Sequence, residues 1–482
     1  MDLNKRAVFR SGLLPARVSE ICAVIGGHTE LSGIAPDVVI TNFAFRDSFT
    51  PLDRNCLCIR GKLDASTVKD VRNGGLAALT DHPIEGIPYI LVEDLDTALY
   101  RLSKWMYEKI SLPSVVITGS VGKTTTKRMI NRVMSKQDIV FTTNKNRNVL
   151  AELCCYLQNV KGNENLVVWE VCENLPKDAM FSARVLKPDI AVITNLGDSH
   201  LGTMEDGKET LYSAVVSMTQ GLRENGTVII NADDSESALI EFDRPTVRVG
   251  IYDASADCLA FNLCNTRKGT EFDVRFHDEI THVKLSVFGE HNVYNALMAF
   301  AAGILRGIDR KDVAVALRGY RNVGIRQNIV RIGKSVVYAD FYNASSKSIS
   351  YALRCFSEIP GLYGKRVAVL GDIAEIEGYE ESAYREVAKA VDQSSVDVLV
   401  TYGNKSSMIH DYLTRHIEKH HCTTSEELNS YLEKLKKSGK NAYLLKASRS
   451  MKLENNMKAA FPLHYRYMKY IERLTSRFLW RE

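Results

Sequence analysis

The sequence predicts an α/β protein of three domains: a small mixed N-terminal domain over 1–111, a central domain built on a mostly parallel sheet over 112–320, and a second α/β domain over 321–482. Three observations predict it. A glycine-containing loop joins a short β-branched run to a helical pattern at Ile117 to Thr126. Strand-like and helix-like segments alternate beyond that loop, and the pattern breaks around Gly319 to Gly324 before a second alternating set begins. At 482 residues the chain is long enough for about three domains, each with a core of its own.

In the N-terminal segment, Val38-Val39-Ile40, Cys56-Leu57-Cys58-Ile59, Leu76-Ala77-Ala78-Leu79 and Pro88-Tyr89-Ile90-Leu91-Val92 read as short strands, and Asp94 to Leu112 reads as a helix leading into the next domain. Arg46, Asp47, Ser48 and Arg60 are candidates for contact with an anionic substrate. Exposed loop charges, however, more often contact only water.

The central loop carries the chemistry. Pro113-Ser114-Val115-Val116-Ile117 precedes it, and Lys127 to Met134 follows with apolar residues at helical spacing, so the reading is strand, tight loop, helix. Gly119 and Gly122 let the backbone turn its N–H groups inward, and the helix N-terminus adds positive potential. Lys123 reaches a terminal phosphate and Thr124 ligates Mg²⁺. Gly119, Ser120, Gly122, Lys123, Thr124 and Thr125 are thus expected to form a cradle for a nucleoside triphosphate with Mg²⁺, a glycine-containing turn without a ligand being the alternative.

Further strands are predicted at Leu166 to Glu170, Ile190 to Asn195 and Thr227 to Asn231. Ligands of such sheets bind at the carboxyl ends of the strands. Glu170 ends one of them, where a carboxylate is costly unless it is paired or bound to metal, and a Mg²⁺ ligand role fits; Glu173 is the competitor, and capping of the next helix is the alternative. A lone loop histidine is usually only hydrogen-bonded structure; His200, in the loop after the third strand, is expected to reach the same crevice, where a neutral imidazole could coordinate or orient the metal shell. Asn292 and Asn295 lie on one face of the first turn of a helix opening at Gly289, so their amides reach a base edge together unless the first is only a cap.

Beyond the hinge, Ser335-Val336-Val337-Tyr338, Arg366 to Leu370, Val398-Leu399-Val400 and Ala442 to Leu445 read as strands, with helical patterns beyond Ser348 and Glu380. This is a second, Rossmann-like α/β domain. Arg326, Asp340, Lys446 and Arg449 are its candidate chemical residues, near strand ends or the hinge. In the last stretch Leu463, Tyr467, Ile471, Leu474 and Phe478 share a helical face among basic residues; such a helix either lies on a membrane or partner or, as expected here, docks back on its own domain.

Composition excludes several classes. With 62 basic and 58 acidic residues the net charge is +4, which gives no reason to propose nucleic acid as a partner. No run of about 18 apolar residues occurs, so the protein is expected in the cytosol. The ten cysteines lack paired ligand spacing and read as reduced, mostly buried small hydrophobes.

Taken together, these residues resemble the Mur ligases. Thr118 to Thr126 is similar to the family's phosphate loop. Glu170, Thr194-Asn195 and His200-Leu201 resemble its metal-binding elements, and Gly289 to Ala296 its adenine-contacting helix start. Gly226 to Asp234 is similar to a family strand and loop. Asp340-Phe341-Tyr342-Asn343-Ala344, Val369 to Ile373 with Glu375, and Lys446-Ala447-Ser448-Arg449 look like the branch that appends a dipeptide to a UDP-linked muramoyl tripeptide.

The resemblance implies an ADP-forming amide ligase that uses ATP and Mg²⁺ and works through an acyl phosphate, joining an amino acid or dipeptide to a carboxylate acceptor. It implies catalytic roles for Lys123, His200 and Arg326, nucleotide contacts from Arg326 and Asp340, and substrate contacts from Asn343, Lys446 and Arg449. Closure of the third domain would exclude water. The sequence also departs from the family. No lysine lies in Leu211 to Met218, where a carbamylated lysine is usual, and Lys208 is too early. Arg46-Asp47-Ser48 and Lys62 to Ser66 replace the elements that recognise uridine. Ser345-Ser346 replaces Asn-Pro, and the histidine expected after Glu375 is replaced near Tyr384. These departures lead to the expectation of a diverged ligase with a different acyl donor. A nucleotide-binding module that has lost catalysis and serves a partner enzyme is the alternative; a P-loop kinase or switch ATPase needs no third domain of this kind.

Overall fold

The computed structural model describes residues 14–45, 55–61, 63–143, 147–172, 176–196, 208–322 and 324–478. Arg46 to Ser48, Lys62, Glu173, His200 and Leu201 lie outside them, as do residues 479–482.

The N-terminal segment forms a five-stranded sheet in the order Thr29–Ser32, Tyr89–Val92, Gly75–Thr80, Cys56–Ile59, Asn42–Ala44, with only the first pair antiparallel. The helix Leu95–Ile110 follows. Asp94 caps it, its carboxylate accepting from Thr97 N at 2.7 Å. Leu99, Leu102 and Met106 of this helix join Leu153, Trp169 and Ala183 in one core, so the N-terminal segment shares a core with one face of the central sheet and buries a smaller one of its own around Cys56, Cys58, Val71 and Ala78.

The central sheet has nine strands: β1 (Ser114–Thr118), β2 (Val140–Thr142), β3 (Leu166–Glu170), β4 (Ile190–Ile193), β5 (Thr227–Asn231), β6 (Thr246–Gly250), β7 (Cys258–Thr266), β8 (Gly269–Phe276) and β9 (Glu279–Lys284). Their order is β9-β8-β7-β6-β5-β4-β1-β3-β2, parallel from β2 to β7 and antiparallel through β8 and β9. Val116 faces the shared core, whereas Val115 and Ile117 face a second core filled by α1 (Lys123–Met134) and α2 (Glu290–Leu305). The strands after β5 were not predicted from sequence. Cys258 to Thr266 is buried only at its start, and its outer half carries Asn262, Asn265 and Thr266, which weakens the strand signal.

The third domain carries a six-stranded sheet of β10 (Asn328–Ile332), β11 (Ser335–Asp340), β12 (Arg366–Gly371), β13 (Val398–Tyr402), β14 (Glu418–Cys422) and β15 (Ala442–Lys446), ordered β10-β11-β15-β12-β13-β14. All pairs but β10 with β11 are parallel. Tyr338 and Leu370 face one core with Ile349 and Phe356 of α3 (Ser346–Glu358); Val337 and Val369 face another.

The last helix, α4 (Pro462–Phe478), docks on its own domain, as expected, but through a different face. Met468 is buried, while Leu463, Tyr467 and Tyr470 are more than half exposed. Among the described residues no helix is long and apolar enough to cross a membrane. All ten cysteines are free and most are buried; Cys264 is exposed.

Candidate active site

The site begins where β1 ends. Gly119 has φ +121° and Gly122, which caps α1, has φ +95°; both conformations are ones that side chains disfavour. Space imposes the same choice. A Cβ on Gly119 would lie 2.3 Å from Thr194 Oγ1, and one on Gly122 would lie 2.7 Å from Asn295 Oδ1. The loop is buttressed by the end of β4. Ser120 N donates to Asn195 O at 3.0 Å, Val121 N to Asn195 Oδ1 at 3.1 Å, and Thr194 Oγ1 and Asn195 Nδ2 both donate to Val121 O at 2.7 Å.

Lys123 starts α1, and its ammonium donates to Gly119 O at 2.5 Å, curled over the mouth of the loop. Thr124 Oγ1 lies 3.0 Å from each oxygen of Glu170. Thr125 is half-buried beside Tyr320. Glu170 is 1% exposed. Its register partner in β1 is Ile117, which brings the carboxylate of β3 beside the phosphate loop. Asn148 Nδ2 donates to it at 3.4 Å.

Lys127, which sequence reasoning did not single out, is 2% exposed, with Nζ 3.1 Å from Glu170 Oε2 and 2.9 Å from Thr143 Oγ1. Burial opposes ionisation of Glu170. The charges of Lys127, Lys123 and Arg326 outweigh it and hold the carboxyl below its ordinary value.

The donor set fits Mg²⁺. Two oxygens on adjacent corners of a Mg²⁺ octahedron, each about 2.1 Å from the ion, are about 3 Å apart, the separation between the Thr124 hydroxyl and either Glu170 oxygen. One buried carboxylate and one hydroxyl leave the remaining corners for water and phosphate oxygens.

From the third domain, Arg326 comes to this crevice. Its guanidinium lies 3.5 Å over the Tyr342 ring, burial works against its charge, and Tyr342, Glu170 and Asp340 favour it. Asp340 is buried at the end of β11, where Oδ2 lies 3.1 Å from Lys446 Nζ and Oδ1 accepts from Gln327 N at 3.1 Å. Lys446 Nζ also donates to Asn343 O at 2.6 Å, and Asn343 Oδ1 accepts from Ala344 N at 2.9 Å.

The two asparagines of α2 differ from a pair aimed jointly at a base. Asn292 is fully buried, its amide donating to Phe288 O at 2.7 Å and to Gln327 Oε1 at 3.0 Å, so it ties α2 to the hinge. Asn295 Oδ1 accepts from Thr126 at 3.0 Å beside Gly122, and its amide donates to Asn292 Oδ1 at 3.3 Å.

The structure therefore gathers Gly119, Ser120, Gly122, Lys123, Thr124, Glu170 and Arg326 around one crevice, with Asp340, Asn343 and Lys446 in a linked cluster at the hinge. Arg449 stands apart, more than half exposed and paired with Glu454 at 2.7 Å. His200 lies outside the described residues. Lys208 opens a helix, Lys208–Thr219, that contains no other lysine. Tyr384 is fully buried and its hydroxyl accepts from Ile373 N at 3.2 Å. Besides Lys127, sequence reasoning missed Gln327 and Lys347; only Lys127 carried a signal, a lysine on the buried face of the phosphate-loop helix.

Comparison with known proteins places these elements. Residues 117–303 match the model of the Mur ligase middle domain, and residues 325–449 match that of the Mur ligase glutamate ligase domain. The chain is 30% identical over 403 residues to the UDP-N-acetylmuramoyl-tripeptide–D-alanyl-D-alanine ligase of Bacillus subtilis, covering 82% of this chain and 86% of that protein. The enzyme of the same name from Haemophilus influenzae is 28% identical over 411 residues, covering 82% and 87%. In fold, the chain is similar to MurF from Acinetobacter baumannii (TM-score 0.81, 22% identity, 93% of this chain and 99% of that one). It is also similar to MurF ligase from Thermotoga maritima in complex with ADP (TM-score 0.71, 19% identity, 89% and 98%).

Proposed function

Because the chain belongs to the Mur ligase family and is an amide-forming ligase of that family, we propose that it joins D-alanyl-D-alanine to the free carboxylate of a UDP-linked muramoyl tripeptide, with conversion of ATP to ADP and phosphate. The observation that supports this reading is the convergence of Lys123, the Thr124–Glu170 pair and Arg326 on one crevice, in a chain 30% identical to a ligase of that name over 82% of its length. The departures at Lys62 to Ser66 favoured a different acyl donor from sequence alone. The breadth of the similarity to ligases of one name weighs toward the muramoyl donor.

A carboxylate is a poor acyl donor, so the acceptor carboxylate first attacks the γ-phosphorus of ATP, the bond to the β-bridging oxygen breaks, and ADP leaves. The N–H groups of the loop and the Lys123 ammonium bind the phosphates and balance charge as it shifts to the leaving oxygen. Thr124 and Glu170 are the residues that would hold Mg²⁺, which when bound neutralises charge on the phosphoryl oxygens. The neutral amine of the dipeptide then attacks the acyl carbon; the amide forms, inorganic phosphate leaves, and the amine gives up a proton. Arg326, supplied by the third domain, brings a further cation to the phosphates only when that domain is seated. Asn343 and Lys446 would orient the incoming amine substrate. Arg449 would serve its carboxylate only after release from Glu454.

ADP and phosphate release with Mg²⁺-ATP, measured for the muramoyl tripeptide plus D-alanyl-D-alanine against a panel of other acids and amines, tests the reading. Release confined to the muramoyl pair, with the product identified by mass, is expected. Release only with another pair would overturn the assigned substrates, and ATP binding without turnover on any pair would favour the binding module.

A further inference from the structure

The third domain is fastened to the central domain along one face of α3. Lys347, Tyr351, Arg354 and Glu358 recur at intervals of four, three and four residues, which aligns them on one side of the helix. Each meets the central domain. Lys347 Nζ pairs with the Asp234 carboxylate and donates to Leu196 O at 2.7 Å. The Tyr351 ring stacks on His291, with centroids 5.6 Å apart and planes 18° apart. Arg354 Nη1 lies 2.8 Å from Glu290 Oε2, and Glu358 Oε2 accepts from Asn265 Nδ2 at 3.3 Å.

Three of the four side chains in the row are charged; the Tyr351 ring, and Phe288 of the central domain, which packs on the third-domain core, add the apolar contact. An apolar interface of this length would resist separation, whereas ions and hydrogen-bonding groups exchange their partners for water when the domains part. Its inner end is the firmest. The Asp234 side chain is 2% exposed, and Oδ2 accepts from Leu196 N and Ser237 N at 3.0 Å each. Leu196 adjoins Asn195, the buttress of the phosphate loop. Lys347 therefore grips the central domain next to the loop from the domain that carries Arg326.

We propose that Lys347 is a positioning residue: its pairing with Asp234 latches the third domain in the arrangement that delivers Arg326 to the phosphate crevice. The kinetic consequence rests on the ligase reading; the latch itself does not. The Lys347 ammonium is taken up by Asp234 and Leu196 O, so the effect proposed for it runs through domain placement.

The test uses the full chain with Lys347→Ala, Lys347→Arg and, at the solvent end of the row, Arg354→Ala. Small-angle scattering in low and high salt reads the closed fraction, thermal melting reads stability, and steady-state kinetics read the reaction. Lys347→Ala should enlarge the radius of gyration and lower kcat/KM about tenfold while the chain still melts cooperatively, because the competent arrangement is depopulated and the parted domains give Asp234 to water. Lys347→Arg should retain both readouts, and Arg354→Ala should move both in the same direction by less. Wild-type scattering and kinetics in Lys347→Ala would overturn the proposal, as would opening with no change in kcat/KM. If Lys347→Ala does not fold, scattering of Arg354→Ala decides: an unchanged closed fraction overturns the latch. Absence of ligase activity on every pair would refute the substrates and leave the scattering result to judge the latch.

Discussion

Lys127 Nζ lies 3.1 Å from Glu170 Oε2, with both side chains almost wholly removed from solvent. The phosphate-loop helix thus supplies the counter-ion of the carboxylate that faces the loop. Removing one partner of a buried ion pair leaves an uncompensated charge, so Lys127→Met should lower stability by about 3–5 kcal/mol. The double variant with Glu170→Gln should recover part of that loss. Chemical denaturation of the two variants checks this, and a double variant no more stable than Lys127→Met would refute it.

The same pair sets a pH dependence. The folded-state pKa of Glu170 is depressed, so its contribution to stability is present above the unfolded carboxyl value of about 4.3 and is lost as pH falls through the lower folded value. Glu170→Gln should remove that component, flattening the loss of stability below about pH 4. Urea midpoints across the acid range measure it.

Asp178 behaves in the opposite sense. It is buried, and burial pushes its carboxyl up to about 7, although Leu150 N donates to it at 3.3 Å. A raised acid contributes no loss below the unfolded value, and stability falls as pH rises from about 4 to 7 while the unfolded state ionises alone. Asp178→Asn should therefore be stabilising above neutrality, by a few kcal/mol on the order of 1.4 per pH unit of displacement, and near neutral in effect at pH 4. Denaturation at the two pH values separates these outcomes.

Gly119 tests the cradle. With φ +121° and Thr194 Oγ1 only 2.3 Å from an added Cβ, Gly119→Ala must displace the loop or its buttress. ATP affinity should fall about tenfold or more, while melting temperature changes by a few degrees. Calorimetric titration with ATP measures the first, and unchanged affinity would show that the loop does not bind phosphate through its present conformation.

Much of this site was legible in the sequence because it is local. Gly119 to Thr125 sit on one strand–loop–helix unit, and Glu170 ends a run of apolar residues, so position along the chain gave position in the fold. Residues whose meaning depends on distant partners were not legible. Asn292 reads as a ligand to a base until Gln327, supplied by the hinge, takes its amide. Lys347 reads as an ordinary surface lysine in the first turn of a helix until the domains are seated and Asp234 meets it. The edge strand Glu418–Cys422 was invisible because its sequence, Glu-Lys-His-His-Cys, is polar where it faces solvent.

On the proposed function, the acceptor carboxylate is activated by direct phosphorylation in the crevice of Lys123, Thr124 and Glu170. Acceptor labelled with ¹⁸O in its carboxylate, turned over with ATP and D-alanyl-D-alanine, tests it most directly through the mass of the phosphate released. One labelled oxygen should be transferred to each phosphate, with release abolished in Lys123→Ala. Unlabelled phosphate from a reaction that still forms the amide would contradict it.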